Sequence, residues 1–278
     1  MRIYALSDLH VGHAANRETL ATMPGDPEGW LILAGDLGER PAHLNWTFEL
    51  LRHRWRQLVW VPGNHELWTT DGGPRGVARY EALVNLCQSQ GVLTPEDPYP
   101  HIGDGRYLCP LFLLYDYSFA PDGMGHDEAV AWAAEDGIAA QDEALLFPDP
   151  FPDRESWCRH RCDLTEARLR ALPVGARTLL VNHWPLRRDL VRLRLVPRYA
   201  PWCGTRRTED WHQRFRADVV ISGHLHMRAT DWRDGVRFEE VSLGYPRHWR
   251  PEVGAAGYLR PIWPDPGASA HGEPVWHP

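Results

Sequence analysis

The amino-acid sequence predicts an α/β sandwich with more than one sheet, on the evidence of two patterns. In the first part of the chain, short apolar segments that end in Gly, Asp or Asn alternate with apolar residues at helical spacing. Later in the chain strand-like segments dominate, which a single sheet of alternating strands and helices does not explain. The 278 residues, 43% hydrophobic and 24% charged, are expected to form a single domain over residues 1–278.

Seven short apolar segments are predicted to be strands. They cover residues 2–8, 30–36, 58–64, 107–117, 178–183, 218–224 and 236–244. Pro110 lies inside the fourth segment, and because proline cannot donate to a β-ladder, it indicates an edge strand or a bulge.

Four helices are predicted between these strands from apolar spacing and capping signals. The first has Pro41 at its start and an apolar stripe formed by Leu44, Phe48, Leu51 and Trp55. The second carries Val77, Tyr80, Val84 and Cys87, and Gly91 ends it. The third covers about 163–172 and opens with Asp163 and Glu166 at capping-box spacing, and the fourth covers 208–217 and buries Trp211 and Phe215.

Two further segments differ in composition from the predicted strands and helices. Residues 116–163, approximately, are acidic and contain prolines, and we expect them to form an insertion. Residues 244–278 are rich in Pro and Gly, and we expect a tail without regular structure.

Composition and charge exclude several classes of protein. The chain begins with a predicted strand rather than a signal segment, and no apolar run approaches the roughly 18 residues of a membrane span. Five cysteines without paired spacing do not indicate a disulfide framework, so we expect a soluble cytoplasmic protein with no membrane partner. The net charge of −7 argues against a non-specific nucleic-acid binder, and a nucleic-acid partner is not expected.

Polar residues of the types that bind metals follow five of the predicted strands directly. They are Asp8 and His10, then Asp36, then Asn64, His65 and Glu66, then His183, and finally His224 and His226. Loops at the carboxyl ends of strands are where α/β folds place their sites. Each piece alone is also an ordinary turn sequence, but five of them together indicate a metal site.

The segment ISGHLHM, residues 221–227, places two imidazoles one residue apart after a Ser-Gly turn. If the backbone stays extended beyond the turn, the rings of His224 and His226 point the same way and can both bind a transition metal. The alternative is one surface histidine and one core histidine.

The order of these motifs resembles that of the calcineurin-like metallophosphoesterases. The matching motifs are D-x-H at 8–10, G-D at 35–36, G-N-H-E at 63–66, a lone His at 183 and G-H-x-H at 223–226. The resemblance implies a four-layer α/β/β/α sandwich with a metal site at the carboxyl ends of its strands.

The resemblance also implies a site for two metal ions. One ion would take Asp8, His10 and His226, the other would take Asn64, His183 and His224, and Asp36 would bridge them. The chemistry of this donor set agrees, because a site rich in imidazole suits divalent or trivalent Mn, Fe or Zn better than Mg or Ca.

Such a centre would hydrolyse a phosphoester bond. Two adjacent metals lower the pKa of a bridging water, and the resulting hydroxide would attack phosphorus in line. The resemblance makes His65 a catalytic residue that faces the leaving group, and the alternative is a structural histidine beside Asn64. Glu66 is expected to support the loop rather than to act directly.

Residues 187–207, with seven arginines and one acid, are the candidate substrate-binding segment. Arg187 and Arg188 follow His183 closely and could bind phosphate, while Tyr199 and Trp202 could stack on a base or sugar. Asp116 is a weaker candidate for the same pocket. The alternative is a solvated face whose arginines pair with the acidic 116–163 segment.

The substrate is expected to be a small phosphorylated molecule, and a nucleotide is one candidate. A phosphomonoesterase, a phosphodiesterase, a nucleotide pyrophosphate hydrolase and a nuclease would share these motifs, and the sequence does not choose between them. A non-catalytic scaffold would have lost metal ligands, whereas all seven positions and His65 are present.

Overall fold

A computed structural model describes residues 1–70, 72–265 and 274–278 and shows two β-sheets flanked by helices. The strands are β1 (Arg2–Leu6), β2 (Asp26–Leu33), β3 (Trp55–Trp60), β4 (His101–Gly103), β5 (Arg106–Pro110), β6 (Arg177–Val181), β7 (Ala217–Ser222), β8 (Ala229–Arg233), β9 (Val236–Glu240), β10 (Arg260–Trp263) and β11 (Val275–Trp276). The helices are α1 (Ala14–Ala21), α2 (Pro41–Leu51), α3 (Asn64–Leu67), α4 (Gly76–Ser89), α5 (His126–Ala134), α6 (Asp142–Leu145), α7 (Arg154–Arg170), α8 (Trp211–Arg214) and α9 (Gly254–Tyr258). Short 3-10 helices cover Arg188–Leu190, Pro197–Trp202, Arg206–Thr208, Pro246–His248 and Pro251–Val253.

Within the described chain, the first sheet has the strand order β10-β1-β2-β3, and the second has the order β11-β8-β9-β7-β6-β5-β4. The strands β1, β2 and β3 are parallel, and so are β5, β6, β7 and β9. The segment after β1 joins the segment after β9, because Ser7 N donates to Val241 O (3.0 Å) and Leu243 N donates to Ser7 O (2.8 Å). The carboxyl ends of both sheets therefore meet at one place.

The hydrophobic core has an inner layer between the two sheets and an outer layer under the helices. The inner layer takes alternate residues of the parallel strands, namely Ile3, Ala5, Ile32, Ala34, Val59, Val61, Leu108, Leu179, Val181, Val219 and Ile221. Residues in between, such as Leu33 and Trp60, face the other way and pack in one cluster with Leu44 and Phe48 of α2. This arrangement confirms the predicted α/β/β/α sandwich.

Trp55 is not part of the α2 stripe, as the spacing predicted, but is the first residue of β3. The helix ends at Leu51, and Arg54 N donates to Leu51 O (2.9 Å) in the turn that follows. Trp55 is buried on the sheet, where its ring meets Tyr4 edge-on at 5.2 Å. A tertiary contact therefore overrides the continued helical spacing.

The helix predicted over 163–172 is the second half of α7, which begins nine residues earlier at Arg154. Its N-cap is Asp153, whose side chain accepts a hydrogen bond from Ser156 N (2.7 Å). Asp163 lies on the helix surface as an ion-pair partner of Arg207 rather than as a cap.

One predicted strand and one predicted helix are longer than the elements observed. The segment 107–117 is a strand only to Pro110. Within the described residues Pro110 pairs with Val181 of β6, whereas β4 pairs with β5 at Arg106 and Tyr107, so Pro110 is paired on one side only. This local edge is a position that proline tolerates, because no ladder hydrogen bond from its nitrogen is needed there. The helix predicted over 208–217 is reduced to α8, because β7 begins at Ala217, although Trp211 is buried as expected.

The 244–278 segment has regular structure within its described residues, contrary to the expectation. Its strand β10 pairs antiparallel with β1, and Ile262 is fully buried in the layer between the sheets. The acidic 116–163 segment contains α5, α6 and the first part of α7. None of the helices in the described ranges has both the length and the apolar character needed to cross a bilayer.

Candidate metal centre

Five of the predicted ligands have a left-handed backbone, which non-glycine residues adopt rarely. The φ angles are 54° at Asp8, 40° at His10, 56° at Asp36, 72° at His224 and 53° at His226. Each residue stands just after a parallel strand, so the positive φ turns the chain sharply at the sheet edge. Clustered outliers of this kind are typical of functional sites, where the surrounding structure holds the strain.

The φ angles of His224 and His226 contradict the expectation that the backbone stays extended through this pair. His224 and His226 do not continue an extended strand, and their rings belong to different clusters. His224 groups with Asp36 and His183, whereas His226 groups with Asp8 and His10.

Within each of these two clusters, potential ligand atoms lie within 4.8 Å of one another. His226 Nε2 is 2.9 Å from Asp8 Oδ1 and 3.3 Å from His10 Nε2. In the other cluster, His183 Nε2 is 3.5 Å from Asp36 Oδ2. A third group of His10, Asp36 and His65 overlaps both, so Asp36 lies between the two clusters.

Several buried ligand atoms at this site have no hydrogen-bond partner among the described residues. They are His183 Nε2, His224 Nε2 and Asn64 Oδ1. The other ring nitrogen of His183 donates to Ala34 O (2.9 Å), which leaves Nε2 facing the cluster. Asn64 Nδ2 donates to Asp142 Oδ1 (2.9 Å), which aims Oδ1 in the opposite direction. Unsatisfied buried lone pairs of nitrogen and amide oxygen fit bound metal ions.

The groups around Asp8 favour the ionised form of its carboxylate. Its Oδ2 accepts hydrogen bonds from Ser7 Oγ (2.6 Å), Ser242 Oγ (2.8 Å) and His224 N (3.0 Å), so Oδ1 is left to face the cluster. Burial raises the pKa of Asp8, but the charge and hydrogen bond of His226, together with the charges of His183 and His10, outweigh it and hold the pKa well below its usual range.

The imidazoles differ in their protonation in the metal-free protein. Burial, followed by the charge of His65, lowers the pKa of His10 to about 3, and burial with the charge of His183 lowers the pKa of His224 to about 3. Both rings are therefore neutral, which is the form that binds metals. Burial lowers the pKa of His183, but Asp36 outweighs it and raises that pKa to about 10, so a metal ion has to displace a proton there.

Glu66 holds two loops of the centre together, in line with the supporting role expected for it. Its carboxylate accepts from Asp36 N (2.9 Å), Leu37 N (2.6 Å) and Gly63 N (2.9 Å). Burial, assisted by the charge of Asp36, raises the pKa of Glu66 to about 7. The Gly63 position admits no side chain, because a Cβ atom there would lie 2.1 Å from Asp36 Oδ1.

His65 lies beside the clusters and is held by a carboxylate. Its Nδ1 is 3.1 Å from Glu39 Oε1, and its Nε2 is 3.8 Å from Asp36 Oδ2 and 3.3 Å from the Tyr245 hydroxyl. Burial lowers the pKa of His65, but the charge of Asp36 and the hydrogen bond to Glu39 outweigh it and raise the pKa. The ring is therefore equipped to carry a proton at the edge of the metal clusters.

Three residues of the centre were not identified from the sequence. Glu39 holds His65, Tyr245 stacks on His10 with ring centroids 4.3 Å apart and an interplanar angle of 20°, and His248 Nδ1 lies 2.9 Å from His226 Nδ1. Tyr245 follows the predicted 236–244 strand directly, so the rule applied to the other strand ends would have found it. Glu39 and His248 carry no comparable sequence signal.

The clusters open into a cavity of about 1030 Å³. Its lining includes the metal-cluster residues Asp36, Asn64, His224 and His226, together with His65, Tyr199, Tyr245 and His248. The remaining lining residues are Arg192, Leu193, Arg194, Leu195, Val196, Leu225, Met227, Arg247 and Trp276. Of the five predicted substrate-binding residues, Tyr199 is therefore at the cavity.

The other four predicted substrate-binding residues are not among those lining the cavity. Arg187 Nε donates to Asp189 (2.8 Å), and Arg188 Nε donates to Phe119 O (2.6 Å). Trp202 is fully buried and donates to Glu143 (2.7 Å), while Asp116 accepts from Thr205 Oγ1 (2.7 Å). Closeness to His183 along the chain does not place these side chains in the site.

The alternative interpretation of the arginine-rich segment is confirmed for part of it, because several of its arginines pair with the acidic 116–163 segment. Arg198 contacts Glu135 at 2.6 Å, and Arg206 contacts Asp122 at 2.8 Å. Arg207 pairs with Asp163. These contacts fasten residues 198–207 onto the acidic segment.

Comparison with known proteins gives one family and one close relative. The sequence model of the calcineurin-like phosphoesterase family matches residues 1–228. The chain is 48% identical over 256 residues to the acyl-carrier-protein phosphodiesterase PptH of Mycobacterium tuberculosis. The alignment covers 89% of this chain and 79% of that protein. The crystal structure of phosphopantetheinyl hydrolase (PptH) from Mycobacterium tuberculosis matches with a TM-score of 0.90 at 46% identity, covering 97% of this chain and 98% of that chain.

Proposed function

This chain belongs to the calcineurin-like phosphoesterase family and is a metal-dependent phosphoesterase, and on that basis we propose that it hydrolyses the phosphodiester between a phosphopantetheinyl group and an acyl carrier protein. The observation that carries the proposal is the 48% identity to a phosphodiesterase with that substrate in its name. The comparisons give no support to a nucleotide substrate.

Two transition-metal ions, Mn, Fe or Zn, are the proposed cofactors. The first would be held by Asp8, His10 and His226, and the second by the other cluster together with Asn64. The unpartnered lone pairs of His183, His224 and Asn64 support this assignment. When bound, the metals supply a deprotonated water as nucleophile and positive charge for the phosphoryl oxygens.

The protein's own residues would direct the rest of the reaction. Asp36 lies between the clusters and would fix their separation, while Glu66 holds its loop in place. His65, oriented by Glu39, would give its proton to the oxygen that leaves phosphorus. Water attacks phosphorus, the bond to the carrier-protein oxygen breaks, and phosphopantetheine keeps the phosphate as a monoester.

The proposal is tested by incubating protein reconstituted with Mn, Fe or Zn with a phosphopantetheinylated acyl carrier protein. Mass spectrometry should show unmodified carrier protein and free phosphopantetheine, and an Asp36→Asn variant should release neither at a comparable rate. Turnover of nucleotide diesters, with no release from the carrier protein under any metal, would contradict the assigned substrate while leaving the phosphoesterase assignment in place.

A further inference from the structure

The mouth of the metal cavity combines exposed apolar side chains with two arginines that have no acidic partner within residues 1–70, 72–265 and 274–278. We call these residues the mouth surface: Arg194, Leu195, Val196, Arg247 and Trp276. Leu195 is 96% exposed and Trp276 is 47% exposed, which is unusual for side chains of this size. Arg247 donates to His248 (3.1 Å), and Arg194 makes no hydrogen bond or ion pair with the described residues.

Arg194 differs in this respect from the neighbouring arginines of the same segment. Arg192, two residues earlier, forms a two-point ion pair with Asp231, with one contact of 2.9 Å, and Arg198, four residues later, contacts Glu135 at 2.6 Å. The chain as a whole carries a net charge of −7, so the mouth is a local cationic area on an acidic protein. An acidic partner would be repelled by much of the surface and attracted here.

The chemistry of the proposed substrate indicates which groups Arg194 and Arg247 would contact. The phosphate is bonded directly to the carrier protein, so it reaches the metal clusters only if the carrier surface comes against the mouth. Apart from that phosphate, the arm has amides, a hydroxyl and a thiol, which are uncharged at neutral pH. Arg194 and Arg247 therefore have no anionic partner on the arm once the phosphate is at the metals.

We propose that the mouth surface is the docking site for a carrier protein whose face around the modified residue is acidic. Arg194 and Arg247 would pair with its carboxylates, and Leu195, Val196 and Trp276 would pack on an apolar spot between them. Aromatic and arginine side chains around an apolar centre are typical of protein interfaces. This inference rests on the proposed function, because it takes the carrier protein as the partner.

The test compares a protein substrate with a small one in the metal-reconstituted full chain. Arg194→Glu and, separately, Leu195→Ser should raise the KM for phosphopantetheinylated acyl carrier protein, the first by roughly ten- to a hundredfold at low salt. The kcat/KM for bis(p-nitrophenyl) phosphate should change by less than about twofold, since this diester makes no contact at the mouth. Arg194→Lys should restore most of the KM, because it keeps the charge.

Arg52→Glu is the matched control, because it makes the same change in net charge on an exposed residue at the far end of α2. It should leave the KM for the carrier protein nearly unchanged. High salt should narrow the difference in KM between the wild type and Arg194→Glu, since screening weakens both the attraction that Arg194 supplies and the repulsion that its charge reversal introduces.

Binding of unmodified carrier protein, which has no arm, separates docking from catalysis. If the wild-type protein binds it through Arg194 but releases no phosphopantetheine from the modified form, docking stands and the proposed function fails. If the wild-type protein binds no carrier protein, the docking proposal is overturned whatever the enzyme hydrolyses. Equal losses on both substrates, or tighter Arg194-dependent binding of a single-stranded oligonucleotide, would also overturn it.

Discussion

His65 is the histidine of the centre whose surroundings differ from those of the ligands. It contacts Glu39 through Nδ1 and faces the cavity beside Asp36, while the ligand imidazoles are aimed at the two clusters. The histidines of the centre are therefore of two kinds, which differ in the groups that contact their rings. Contacts with Asp36 and Glu39 raise the pKa of His65, whereas burial lowers the pKa of His10 and that of His224 to about 3.

Replacing His65 by alanine should lower kcat without removing metal. We expect a loss of roughly 10²–10⁴-fold on the carrier-protein ester, the usual contribution of general acid catalysis, with close to two metal ions per chain retained. The loss should be smaller for a p-nitrophenyl ester, whose leaving group needs no proton. Steady-state kinetics and metal analysis of the same preparation measure both quantities.

His101→Ala, on an exposed position of β4, is the control and should retain full activity. Loss of one metal ion from His65→Ala would show that the imidazole is a ligand and would remove it from the role of proton donor.

The sequence predicts site residues whose positions follow from a local pattern. It fails for side chains whose contacts depend on the three-dimensional fold. The seven candidate ligand positions are predictable because each comes shortly after an apolar strand, and parallel strands end at a common edge. Arg187 and Arg188 were placed at the site by their distance along the chain, but their side chains turn toward Asp189 and Phe119. Glu39 could be assigned to His65 only from the three-dimensional structure.

Among the secondary-structure elements, a buried arginine of α7 links that helix to α4, to the loop before β4 and to the segment after β5. Arg161 of α7 donates to Glu96 (2.8 Å) and to Phe112 O (3.2 Å). The same Glu96 carboxylate accepts from the Tyr80 hydroxyl of α4 (2.6 Å). Burial raises the pKa of Glu96, but the charge of Arg161 and the hydrogen bonds from Tyr80 and Arg161 together outweigh it, and the pKa is lowered below the usual 4.5.

Glu96→Gln should therefore destabilise the fold at neutral pH and not at acid pH. A hydrogen bond to a charged group contributes about 1.5–3 kcal/mol, and we expect the lower part of that range because Glu96 is partly exposed. A carboxyl group with a lowered pKa stabilises the folded state above its unfolded pKa, and this contribution is lost as the pH falls through the folded pKa. Urea denaturation of both metal-free proteins from pH 7 to pH 3 measures the difference.

Glu18→Gln on the exposed side of α1 is the control and should change the unfolding free energy by less than about 0.5 kcal/mol. A Glu96→Gln deficit that persists unchanged at pH 3 would mean that the side chain acts through packing rather than through its charge.

Element boundaries were the weaker part of the sequence prediction for identifiable reasons. Asp163 and Glu166 have the spacing of a capping box, yet α7 is already nine residues long at Asp163, and Asp153 is the cap. Strand β10 was missed because two prolines and a glycine surround it, whereas its pairing with β1 supplies the structure that local propensity does not.

At the scale of the whole molecule, the site joins the two halves of the sandwich. Asp8 and Asp36 follow strands of the first sheet, and His183 and His224 follow strands of the second. Bound metal ions would therefore crosslink the sheets at the edge where Ser7 already pairs with the segment after β9. The sandwich itself was predictable because several of its parallel strands, such as β6 and β7, are largely apolar and buried.

Removing the metals should lower the melting temperature of the whole protein. A ligand present at a hundred times its Kd stabilises the folded state by about 2.7 kcal/mol, which corresponds to a shift of roughly 5–10 °C in a chain of this size. Thermal unfolding with added Mn or Zn and with a chelator measures the shift. In Asp36→Asn most of it should disappear, because the residue proposed to bridge the two metal ions loses its charge.

Asp122→Asn, with a 91% exposed side chain, should keep the full shift. An equal metal-dependent shift in Asp36→Asn would show that the metals bind without this carboxylate, and the shared position assigned to it would then be wrong.

The residues that touch the centre come from two stretches of the chain with different relations to the family. The seven candidate ligands and His65 all lie within the 1–228 match, whereas Tyr245 and His248 come after it. Substitutions in the later stretch can therefore change the surroundings of the candidate ligands without replacing any of them. For an engineer, the same division makes the region after β9 a natural unit of exchange between homologues when selectivity, rather than metal chemistry, is to be changed.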